Sequence, residues 1–124
     1  MSRKLLIYRM DLLAHHDSIK TICRLSDIEL IRVDDQMIHL KIKDILQNKI
    51  RKRKNKALAM PMIVFSGMMQ NDIDLLLEAF KKASVPFIPL KAMVTATNLH
   101  WSFAQLFDHI FAEYQQVIQK RLKL

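Results

Sequence analysis

The chain reads as an α/β fold built on a four-stranded, mainly parallel sheet of order 2-1-3-4, with helices on both faces. Three observations predict this. Lys4–Arg9 (KLLIYR) carries a continuous apolar LLIY and Met62–Phe65 (MIVF) is wholly apolar, without alternation, as strands buried on both faces are. Ile28–Val33 and Phe87–Val94 are also β-rich, but charge or proline interrupts them, as happens at sheet edges. Amphipathic helical stretches alternate with these strands, a pattern that favours crossover connections and parallel pairing.

Each element follows from local chemistry. Between Ala14 and Leu25, Ile19, Ile22 and Cys23 fall at helical spacing, with Asp17 or Ser18 as the expected N-cap. Asp34-Asp35 marks a turn after the second strand, and Met37–Leu46 suits a short helix or a packed loop. Gly67 permits a tight exit from the third strand, and Asn71 is placed to cap NDIDLLLEAF, whose Asp72 and Asp74 suit a helix N-terminus. Pro86 and Pro89 lack the N–H that a ladder needs, which puts the fourth strand at an edge. Ser102 with Gln105 is a capping box for a last helix with an apolar stripe from Phe103 to Ile118. A helix over 103–121 would run about 28 Å against about 17 Å for a strand. Its end is expected to overhang the sheet, with a homodimer contact as one way of covering it. The sum is a small Rossmann-like domain over 1–124, with a basic connector at about 48–58.

The chain has 124 residues, 51% of them hydrophobic and 26% charged, which suits one globular core. No apolar run approaches the roughly 20 residues of a membrane span, and the basic-then-apolar start is broken by Tyr8, Arg9 and Asp11. Cys23 is the lone cysteine, so no internal disulfide forms and the cytoplasm is the expected compartment. The net charge of +8 is local: Lys49, Arg51, Lys52, Arg53, Lys54 and Lys56 crowd one segment, and the remainder carries only +2. That segment is a solvated, mobile loop, a contact for nucleic acid or another polyanion with no interleaved aromatic residue for base stacking, or a stretch attracted to a membrane surface.

In open parallel sheets, ligands bind beyond the carboxyl ends of the strands. On the expected order those ends bring Asp34, Asp35, Ser66, Gly67, Thr95, Thr97 and Asn98 to one rim, with Lys91 close by. The motifs of chemistry are missing. One glycine rules out dinucleotide and phosphate-binding loops, and VFSG lacks the first glycine of a nucleophile elbow. His109 and Glu113 share a helix face as a surface pair rather than half of a metal site. No cofactor, metal site or catalytic residue is expected.

The features PMIVFSG, the Asp-rich helix start, Pro89-Leu90-Lys91-Ala92, Thr95-x-Thr97-Asn98, Trp101 and the helix to Glu113 carry a resemblance. Pro61–Trp101 resembles the domain of unknown function family 3783, a group of small, mostly bacterial proteins. The resemblance implies a small α/β fold and brings no known activity. A weaker likeness is to response-regulator receiver domains: Asp34-Asp35, Ser66 and Lys91 echo their paired acids, hydroxyl and lysine in order. No strand ending in an acceptor aspartate lies between Asp35 and Pro61, so phosphorylation is not implied. The chain is thus expected to be a non-catalytic ligand- or partner-binding module acting at the strand-end rim. The alternative is a nucleic-acid-associated protein using Lys49–Lys56.

Overall fold

The computed structural model describes residues 2–122. Strands β1 (Lys4–Tyr8), β2 (Glu29–Val33), β3 (Met62–Ser66) and β4 (Leu90–Met93) form one sheet of order β2-β1-β3-β4. Helices α1 (His16–Leu25), α2 (Ile42–Leu46), α3 (Gln70–Lys82) and α4 (Phe103–Leu122) connect and cover them. The two wholly apolar strands lie in the centre, as their patterning requires. Leu5 to Tyr8 and Met62 to Val64 have no exposed surface, whereas β2 and β4 are only partly covered.

Alternation along the central strands feeds two cores. Leu5, Ile7, Ile63 and Phe65 face α1 and α3, meeting Ile19, Cys23, Ile73, Leu76 and Phe80. Leu6, Tyr8, Met62 and Val64 face the other way, toward Ile42 and Ile45 of α2 and Phe103, Leu106 and Phe107 of α4. Helices therefore cover both faces.

One strand direction departs from expectation. β1–β2 and β3–β4 are parallel, but β1 and β3 are antiparallel, with Lys4 opposite Ser66 and Tyr8 opposite Met62. The chain is two βαβ units, β1-α1-β2 and β3-α3-β4, laid head to tail. The reason lies in the connection between them. The backbone N–H of Leu58 donates to the Tyr8 hydroxyl at 2.9 Å, so the chain enters β3 beside the carboxyl end of β1 and must run back. A crossover would have had to traverse the sheet first.

Smaller departures concern element ends. α1 begins at His16 behind a left-handed His15 (φ 59°), so Asp17 lies inside its first turn and neither Asp17 nor Ser18 is the cap. α3 begins at Gln70. Asp72, not Asn71, completes its start by accepting the Met69 N–H at 2.9 Å. β4 starts only at Leu90, because Pro89 has no N–H to offer. The capping box of α4 is present: Ser102 N–H donates to Gln105 Oε1 at 2.8 Å, and Gln105 N–H to Ser102 Oγ at 3.1 Å. The last buried residue of α4 is Phe107, and Val117 and Leu122 are exposed.

Candidate functional site

Reversal of β3 divides the expected rim. Asp34 and Asp35 follow β2 at the end of the sheet marked by Tyr8 and Met62. Ser66, Gly67, Thr95, Thr97 and Asn98 follow β3 and β4 at the opposite end, beside Lys4. A five-residue strand is about 17 Å long, so the two sets do not share a pocket. The receiver-like trio is split in the same way.

At the first end, carboxylates hold backbone. Asp34 Oδ1 accepts the Gln36 N–H at 2.9 Å, and its Oδ2 pairs with Lys52 Nζ at 2.9 Å. The buried Tyr8 hydroxyl donates to Asp35 Oδ1 and accepts from Leu58. Burial, followed by this bond to Asp35, pushes the Tyr8 phenol above its ordinary value. Asn55 Nδ2 lies 3.1 Å from the Asp35 carbonyl and 2.9 Å from His39 Nδ1, and His39 Nε2 lies 2.9 Å from the Arg51 carbonyl. These contacts are met when His39 is protonated on Nε2. The basic segment is thus tied to the β2 turn along its length, where mobility was expected.

At the other end, the polar cluster serves the loop. Thr95 N–H donates to Asn98 Oδ1 at 2.8 Å, Asn98 N–H to Thr95 Oγ1 at 3.1 Å, and Asn98 Nδ2 to the Met93 carbonyl at 2.9 Å. Val94 N–H bonds to Phe65 inside the sheet, so by alternation the Met93 carbonyl faces the free edge. Asn98 therefore closes the sheet's border there, and Thr97 precedes its single 3-10 turn as an exposed residue. Gly67 adopts φ 70°, and a Cβ at this position would overlap the Ser2 carbonyl oxygen. It is a steric requirement at the strand exit.

Of the expected residues, Lys91 lines a concave surface. A cavity of about 590 Å³ lies between α3 and residues 85–91, walled by Leu77, Phe80, Val85, Pro86, Phe87 and Ile88. A second, of about 190 Å³, continues along α3 past Ile73 and shares Leu77 and Lys91 with the first. Lys91 Nζ donates to the Ile88 carbonyl at 2.6 Å and lies 4.1 Å from the centroid of Phe87, which is 80% exposed. Burial lowers the pKa of this ammonium. Asp74, Glu78 and Lys81 stand along the α3 side.

These elements locate the resemblance carried by the second half of the sequence. Residues 61–117 match the family model described as domain of unknown function (DUF3783). This part of the chain is similar to that family. The DUF3783 region spans β3, α3, β4 and most of α4, so it contains the Asn98 closure, Gly67 and the Lys91 groove. Tyr8, Asp34, Asp35 and the basic segment lie outside it. Neither curated proteins nor solved structures match the chain. Among the described residues no group of three or more His, Cys, Asp or Glu is placed to hold a metal, and no helix is long and apolar enough to cross a membrane.

Two parts of this arrangement escape sequence reasoning. Phe87 reads as the start of a strand, yet it forms the exposed wall of the groove. Tyr8 reads as part of a buried strand, and no motif singles out His39 or Asn55, yet the three tie down the basic segment. Asn55 did carry a signal, being the neutral polar residue inside KIRKRKNK.

Proposed function

We propose that the chain is a non-catalytic binding module and that its site is the groove between α3 and β4. The observation that carries this reading is Lys91, a half-buried ammonium at the junction of two apolar-walled cavities. The larger volume lies within the range of about 300–1,000 Å³ typical of small-molecule sites, in which a few polar groups orient an apolar ligand. Ile88 takes one proton of the ammonium, leaving others for an incoming anion. The ligand class that fits is an apolar chain or ring bearing one carboxylate, with Phe87 closing over it. Asp34, Asp35, Ser66, Thr95, Thr97 and Asn98 have no place in this site, because they hold loops or lie elsewhere.

Thermal unfolding with decanoate, against its uncharged amide, tests the proposal. Decanoate raises the melting temperature and the amide does so much less. A hundredfold excess over Kd adds about 2.7 kcal/mol of stability. Lys91→Met abolishes the difference between the two ligands and Phe87→Ala weakens both. Absence of any shift with either compound would sink the reading.

A further inference from the structure

The segment Lys49–Lys56 concentrates charge on a backbone that is held in place. The Lys49 N–H donates to the Asp44 carbonyl at 2.8 Å, and the Arg53 N–H to the Gln36 carbonyl at 3.1 Å. His39 takes the Arg51 carbonyl, Asn55 joins the Asp35 carbonyl to His39, and Leu58 is anchored on Tyr8. All six cations are nonetheless exposed, and among the described residues only Lys52 has a carboxylate partner, Asp34. Solubility alone requires charge and no ties. Fixing like charges along one strap adds mutual repulsion that flexibility would relieve. A strap ordered before it meets a polyanion loses less entropy on binding than a loose tail.

We propose that Lys49–Lys56 is a contact surface for the phosphodiester backbone of a nucleic acid. Eight extended residues span at most about 28 Å. Phosphates follow one another at about 3.4 Å of axis along each strand of a duplex, so the five cations without a carboxylate partner have enough of them within reach. No aromatic residue is interleaved with the charges, which leaves no stacking platform and makes the contact sequence-independent. The surface lies outside the DUF3783 region and apart from the Lys91 groove, so it stands independently of the small-ligand reading.

Fluorescence anisotropy with labelled oligonucleotides of about 20 nucleotides, as single-stranded RNA, single-stranded DNA and duplex DNA, tests the proposal. With five cations engaged on duplex DNA, affinity falls about 500-fold between about 50 and 200 mM salt, following a slope of roughly −0.9 per neutralised phosphate. The triple variant R51Q/K54Q/K56Q lowers the magnitude of that slope by about 2.7. Asn55→Ala keeps every cation but frees the strap, weakening binding severalfold while the slope stays the same. Comparing the three oligonucleotides shows which backbone is preferred. Three results would overturn the proposal: no binding to any oligonucleotide at low salt, unchanged binding by the triple variant, or retention only on phosphatidylserine vesicles. Unaltered unfolding curves of the variants exclude misfolding as the cause.

Discussion

The side chain of Asn98 donates to the carbonyl of Met93 at 2.9 Å, across the outward flank of β4. Asn98 is the buried polar residue of the described chain, and its other two bonds, both with Thr95, stay within the loop that follows β4. The Thr/Asn signature of the DUF3783 region is thereby explained as a border closure. A free carbonyl at that position would invite another strand.

Asn98→Ala therefore costs about 1–3 kcal/mol, through loss of the bonds that order the loop. Urea denaturation is expected to show a lower midpoint at unchanged slope. The variant also associates more readily at high concentration, and light scattering that matches the wild type would refute the border role.

Gly67→Ala meets two penalties. The left-handed backbone costs an L-residue about 1–2 kcal/mol, and the new methyl group collides with the Ser2 carbonyl. Removing residues 1–2 from the variant relieves the collision and leaves the backbone penalty. Full recovery on truncation would mean that φ contributes nothing.

Alkaline stability should follow two buried acids. Burial pushes the Cys23 thiol from 9.0 up to about 11, and Tyr8 is raised above 10.0 by burial and Asp35. Both are raised, so the fold favours their protonated forms. Stability from Cys23 is complete below pH 9.0 and disappears as pH approaches about 11, and that from Tyr8 fades above 10.0. Cys23→Ala flattens the stability profile between pH 9.0 and about 11. Parallel profiles for variant and wild type would show that the thiol takes no part.

The end of α4 should tolerate polar change. Val117 and Leu122 are 48% and 80% exposed, so replacing both with Gln shifts unfolding by no more than about 0.5 kcal/mol. A larger loss, accompanied by dependence on protein concentration, would instead mean that a second copy covers them.

The sequence disclosed the inner and outer strands because full burial demands uninterrupted apolar residues, as in LLIY and MIVF, while Glu29, Arg32 and Pro89 mark the flanks. It could not disclose the direction of β3. Apolar patterning has no polarity, and MIVF buries equally well in either sense. The direction goes with a tertiary contact, the Tyr8–Leu58 hydrogen bond, which joins residues 50 positions apart. The site inherited that ambiguity: the expected rim residues other than Lys91 stand at or beyond strand ends, but those ends face opposite ways. Lys91 kept its relevance because its groove depends on α3 and β4, whose parallel pairing was expected.

Antiparallel pairing of β1 with β3 has a consequence for the family-matched region taken alone. Residues 61–117 without the preceding half would present Met62, Ile63 and Val64 on a naked sheet flank. A strand running in the opposite sense would restore the pairing that β1 provides. A twin fragment could supply one through twofold symmetry, giving a sheet of order β4-β3-β3-β4. In the intact chain, β1 takes that place from within the same molecule.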